Sequence, residues 1–63
     1  MKILKPKEVA AILNIKERKV LELVREGRIP AIRMGRQVRI IEDDLQEFVV
    51  SLREEGIING QDK

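Results

Sequence analysis

Cysteine and histidine are absent from this 63-residue chain, and Phe48 is its single aromatic residue. Without cysteine there is no disulfide staple, and without either residue there is no Cys/His zinc site. Catalysis through an imidazole or a thiolate is excluded on the same ground. Ser51 is the only serine and has no histidine to activate it. No catalytic constellation remains, and neither an enzyme activity nor a cofactor is expected. One aromatic, and that one on an apolar stripe, also argues against single-strand binding by base stacking. Long apolar runs are missing too. The longest uncharged stretch in the first half is Val9 to Ile15, whereas a membrane span needs roughly 20 apolar residues and a signal-peptide core roughly 7–15 beside a cleavage site. The expectation is a cytoplasmic protein with no membrane partner.

What is present is aliphatic and charged. The chain has 27 apolar residues, nine of them isoleucine, and 24 charged ones. At this length a domain buries only about 60% of the surface exposed on unfolding, so the core must be thin. The net charge of +2 conceals a strong asymmetry. Residues 1–41 carry 11 basic and 4 acidic side chains, while residues 42–63 carry 2 basic and 7 acidic ones. Between Arg28 and Arg39 stand four arginines and no acid. An ordinary charged surface mixes signs throughout; segregation of this kind points to a polyanionic partner for the first part.

The hydrophobic spacing predicts four elements. Pro6 suits the first turn of a helix, and Val9, Ile12 and Leu13 follow at i, i+3, i+4 as its core stripe. Asn14 ends that helix, because asparagine tolerates the left-handed conformation, and Ile15 tucks back into the core. A second helix runs from Lys16 or Glu17 to Glu26 on a stripe of Val20, Leu23 and Val24, with Gly27 at the C′ position and Pro30 barring continuation. Two short helices about three residues apart have the layout of a helix-turn-helix. In the last helix Leu45, Phe48, Val49 and Leu52 form the stripe. Glu42, Asp43 and Asp44 occupy its first turn, where the helix dipole favours carboxylates. Adjacent helix positions diverge, so these acids do not converge on a metal ion. Gly56 is read as the C′ residue, with Ile57 and Ile58 capping Leu52. One domain over residues 1–56 is expected, followed by a short tail, 57–63.

Between the second and last helices, Ala31 to Met34 and Gln37 to Ile41 alternate and are rich in β-branched residues, as a hairpin requires. A two-residue loop at Gly35-Arg36 would oppose Arg33 to Val38 and mix polar with apolar residues on each face. A three-residue loop (Gly35, Arg36, Gln37) pairs Arg33 with Arg39 and gathers Ile32, Met34, Val38 and Ile40 on one face. The second register is the expectation. It makes Arg33 and Arg39 like-charged cross-strand neighbours, a repulsion that phosphates would relieve.

The second helix breaks a stability rule. Lys16, Arg18 and Lys19 crowd its N-terminal turn, the end where the dipole disfavours cations, and Lys16 stands where a capping Ser, Thr, Asp or Asn would help. Broken rules of this kind point to function. Residues at the start of a recognition helix reach base edges. Arg18 and Arg25 can read guanine. For Glu22 three roles are open: accepting from cytosine, orienting Arg18 and Arg25, or a plain ion pair on the helix surface. Leu21 either meets a thymine methyl or packs on the first helix.

Residues 4–52 resemble the small winged-helix domain of the excisionase family, related to the MerR-type regulators. The residues that carry the likeness are Pro6 to Leu13, then Arg25 through Arg36, then Arg39-Ile40 and Asp43 through Phe48. The stretch from Glu26 to Arg36 is the most specific. The resemblance implies a mainly α fold with a β-hairpin, helix-helix-hairpin-helix, that binds double-stranded DNA. The second helix would enter the major groove, and the hairpin wing would lie along the adjacent backbone or minor groove. Carried over residue by residue, base reading falls on Lys16, Arg18, Lys19, Glu22 and Arg25, and backbone contact on Arg33, Arg36 and Arg39, with Gln37 beside them. Family members act as recombination directionality factors for integrases of phages or mobile elements, or as small transcriptional regulators, and commonly bind repeated sites cooperatively. An integrase or further copies of the chain are therefore implied partners. Three positions depart from the pattern: Asn14 where glycine is usual, Lys16 where serine or threonine caps, and Leu21 where an aromatic is common.

Two other functions compete. One is a protein-interaction module, in which Asp43, Asp44, Glu47 and Glu54 and the Ile57-Ile58 pair engage a partner or a larger parent chain. The other is binding of structured RNA.

Overall fold

The computed structural model describes residues 1–56. Its elements, in order, are β1 (Ile3–Leu4), α1 (Pro6–Leu13), α2 (Glu17–Arg25), β2 (Ile32–Met34), β3 (Gln37–Ile41) and α3 (Glu42–Gly56). These are the helix-turn-helix, the hairpin and the last helix of the expected winged architecture, with one strand added. Ile57, Ile58 and the rest of the tail lie outside the described residues.

The helix-turn-helix is made by its two helix ends. After α1, Asn14 turns left-handed (φ 59°, ψ 45°). The Ile15 N–H then donates to the Ala10 carbonyl at 3.0 Å and the Asn14 N–H to that of Ala11 at 3.3 Å. After α2, Gly27 turns left-handed at φ 80°. Arg28 donates to Leu23 at 2.9 Å and Gly27 to Val24 at 3.0 Å. Both helices thus close with the paired 6→1 and 5→2 bonds of a Schellman motif. The second of these turns drives Ile29 into the interior, where it is almost wholly buried. At the start of α1, the Glu8 carboxylate accepts the Lys5 N–H at 2.7 Å, which satisfies one of the free donors of the first turn.

The sheet is antiparallel with order β1-β3-β2. β1 pairs Ile3 with Ile41 and Leu4 with Ile40, so the middle strand is β3. That strand passes into α3 with no intervening residue, and the Glu42 N–H donates to the Lys2 carbonyl at 2.9 Å. The core forms where these pieces meet. Leu4, Val9, Ala10, Val20, Leu23, Ile29, Ile40, Leu45 and Phe48 are buried, with Leu13, Val24 and Val38 packed against them. Every element except β2 contributes.

Several expectations are corrected. The buried stripe of α1 is Pro6, Val9 and Ala10, with Leu13 half-buried; Ile12 is turned outward at 58% exposure. The buried face is thus turned away from Ile12 and toward Pro6 and the small Ala10. Ile15 lies at the edge of the core rather than inside it. In α3 only Leu45 and Phe48 are buried, while Val49 and Leu52 stay more than a third exposed. At 1.5 Å per residue a 15-residue helix is about 22 Å long, and its second half outruns the layer beneath it. Gly56 belongs to α3 and does not take the left-handed C′ conformation.

The hairpin register is also corrected. Ile32 faces Arg39, Arg33 faces Val38, and Met34 faces Gln37, so the loop is the two-residue Gly35-Arg36. Gly35 has φ 66°, and Arg36 is not among the residues of positive φ, as a type II′ turn with glycine first requires. Apolar patterning sets register only where a face is buried. All of β2 is exposed, so turn chemistry decided instead.

Candidate nucleic-acid interface

The N-terminal turn of α2 is built as its sequence suggests. Lys16 takes the N-cap position with extended backbone (φ −77°, ψ 147°) and offers no side-chain cap. Its carbonyl accepts from Lys19 at 2.9 Å and Val20 at 3.2 Å. Lys16, Arg18, Lys19 and Glu22 line one shallow surface hollow, and all four are exposed. Glu22 takes the ion-pair role: its Oε1 lies 3.3 Å from Lys19 Nζ. It pairs with neither Arg18 nor Arg25. An exposed i,i+3 pair of this sort contributes at most about 1 kcal/mol, so it leaves both groups free to exchange partners.

The register sends the hairpin arginines in different directions. Arg33 shares a face with Val38 and Ile40, the face turned to the core and α2. Arg39 lies on the opposite face with Ile32, Met34 and Gln37, and Arg36 occupies the tip. Arg33 and Arg39 are therefore not cross-strand neighbours, and the expected repulsion between them does not arise. Arg39 is half-buried: Nη1 donates to the Val38 carbonyl at 2.8 Å and Nη2 to Gln37 Oε1 at 2.9 Å. Gln37 thus holds Arg39 against its own strand. Arg33, Arg36 and Arg39 form no ion pair among the described residues. Arg28, the first of the acid-free arginine series, does find an acid, since its Nη2 lies 3.8 Å from Glu55 Oε1 of α3. That partner is 27 positions away and sequence proximity could not reveal it.

Leu21 faces the hairpin. Together with Val24, Arg25, Arg33 and Val38 it lines a crease between α2 and the β-strands. Val24 and Val38 read as core in the sequence, so their place in this crease is not apparent there. The available signal was Leu21, an apolar residue lying off the buried stripe of α2. The basic side chains thus gather at the start of α2 and on the hairpin, and the crease joins the last turns of α2 to the strands. The acids of α3 stand elsewhere: Asp43, Glu47 and Glu54 line a surface hollow of that helix with Gln46, Val50 and Ser51. None of the described helices is long and apolar enough to cross a membrane.

Comparison with known proteins agrees with the helix-turn-helix fold. The sequence pattern of a family described as "Helix-turn-helix domain" matches residues 3–53. A protein of Bacillus subtilis (strain 168), "Uncharacterized protein YvgK", is 39% identical over 46 residues, which is 73% of this chain and 15% of that protein. The chain therefore spans less than a sixth of the relative's length. No solved structure matches.

Proposed function

This chain belongs to the family of small, excisionase-like helix-turn-helix domains, and from that membership we propose that it is a sequence-specific binder of duplex DNA. The observation that carries the reading is the weakly capped, lysine- and arginine-rich start of α2 beside a hairpin whose arginines have no acidic partner. In this reading α2 lies in the major groove, with Lys16, Arg18, Lys19, Glu22 and Arg25 along it. Arg33, Arg36, Gln37 and Arg39 of the hairpin follow the adjoining backbone and minor groove. Residues 1–56 make up the binding unit. The cellular role is that of a recombination directionality factor of a phage or mobile element, acting beside an integrase and with further copies on repeated sites. A second reading has its own support: the matched relative is several times longer than this chain. That favours the DNA-binding module of a larger protein, or a transcriptional regulator, built on the same surface.

Binding to a duplex chosen from a random-sequence pool tests the reading. Contacts to about five phosphates give a slope of log affinity against log salt near −4 to −5; a slope near zero refutes it. Arg36→Ala weakens all sequences alike, whereas Arg18→Ala also relaxes the preference at one base position. Excision in a reconstituted integrase reaction separates the recombination role from the regulatory one.

A further inference from the structure

The crease between α2 and the hairpin has a composition unlike the rest of the basic side. Arg25 comes from the last turn of α2 and Arg33 from β2, and between them lie Leu21, Val24 and Val38. Two cations from separate elements converge over an apolar floor, and neither forms an ion pair among the described residues. The two-residue turn creates this arrangement, because it puts Arg33 on the same face as Val38. The space measures about 260 Å³, below the roughly 300–1,000 Å³ of sites that enclose a small molecule. An anion with a small apolar appendage fits it. If α2 occupies the major groove and the hairpin the next groove, one DNA strand must pass between them.

We propose that the crease seats a single sugar–phosphate unit of that strand. Arg25 and Arg33 fork one phosphate from its two sides. Leu21, Val24 and Val38 lie against the adjoining deoxyribose. Arg25 is thus a phosphate anchor and not a base reader. The side chains of the floor carry no donor or acceptor for a 2′-hydroxyl, so a ribose at this one position sets its hydroxyl against apolar groups. The inference rests on the duplex-DNA reading above, and its test separates the two.

The full chain and its selected duplex are used, with each phosphate replaced in turn by a neutral methylphosphonate. At one position the replacement weakens the wild type about tenfold or more. At that same position the loss shrinks to about threefold in Arg25→Ala and in Arg33→Ala, each of which keeps one of the two contacts, and to less than about twofold in the double variant. A single ribonucleotide at the adjoining sugar weakens the wild type about tenfold. Val38→Thr, which supplies a hydroxyl partner at nearly constant shape, shrinks that loss to about threefold or less. Both arginines are exposed, and unchanged thermal midpoints verify that the variants fold. If Arg25→Ala and Arg33→Ala couple to different phosphates, or if Arg25→Ala alters base preference, the shared seat is overturned and duplex binding stands. Should the wild type bind no duplex even at low salt, the DNA reading falls with it.

Discussion

Replacing Lys16 with serine should move stability and DNA binding in opposite directions. Lys16 has the extended backbone of an N-cap and no side-chain acceptor, so the N–H of Arg18 is left to solvent. A serine there supplies the missing oxygen, which contributes about 1 kcal/mol. Removing a cation from the positive end of the helix dipole adds about 0.3 kcal/mol. Together these give roughly 1–1.5 kcal/mol, or about 5–10 °C in Tm for so small a domain. On the DNA-binding reading the same change removes one basic contact at the start of α2, so the salt slope should become shallower by about one. Lys16→Gln is the control. It deletes the charge without offering a good cap, so it matches serine in binding but gains only a few tenths of a kcal/mol in stability. Thermal melts and salt titrations on the three proteins complete the comparison. If Lys16→Ser is no more stable than Lys16→Gln, the capping argument is wrong. If both keep the full salt slope, Lys16 does not meet DNA.

Three further outcomes concern the scaffold. Ile40→Ala empties a fully buried position at the meeting of β1, β3 and the helices and should cost about 2–5 kcal/mol; since a domain this size holds only about 3–9 kcal/mol in total, the urea midpoint should fall by about half. Asn14→Ala should lower stability by about 1 kcal/mol in urea denaturation, while Asn14→Gly should leave it equal or slightly higher, because the left-handed conformation at that residue is strained for any side chain. At Gly35 an added Cβ meets nothing within 4 Å, so Gly35→Ala should cost only the backbone strain of φ 66°, about 1 kcal/mol; a much larger loss would mean that the type II′ turn is not what sets the hairpin.

What could be read from the sequence was local chemistry. Asn14, Gly27, the uncapped Lys16 and the acids opening α3 all act through their own backbone or that of the next turn, and each sits where its residue type demands. What could not be read depends on a neighbour far along the chain. Ile12 and Ala10 are equally good members of a helical stripe, and only the presence of α2 and β3 chooses the smaller one. Arg28 found Glu55 across the fold. β1 is two residues long, too short for any periodicity. The hairpin register was hidden for a more instructive reason: alternation fixes register only where both strands have a buried face, and β2 has none. The uncapped, cation-rich start of α2 was legible because its cost to the helix was visible. The crease was not, since it exists only in the register that the alternation argued against.

The pairing of Ile3 and Leu4 with Ile41 and Ile40 has a kinetic consequence. The α1–α2 unit and the β2–β3 hairpin are each made between neighbours in the chain, the kind of contact that forms within microseconds. Joining β1 to β3 instead closes a loop of about 36 residues, whose entropy must be lost before the pairing returns anything. Assembly is therefore expected to run from ready-made halves toward a final stitch at the N-terminus. The angle between α2 and the hairpin is then fixed last, by two residues paired to the end of β3 farthest from the hairpin tip.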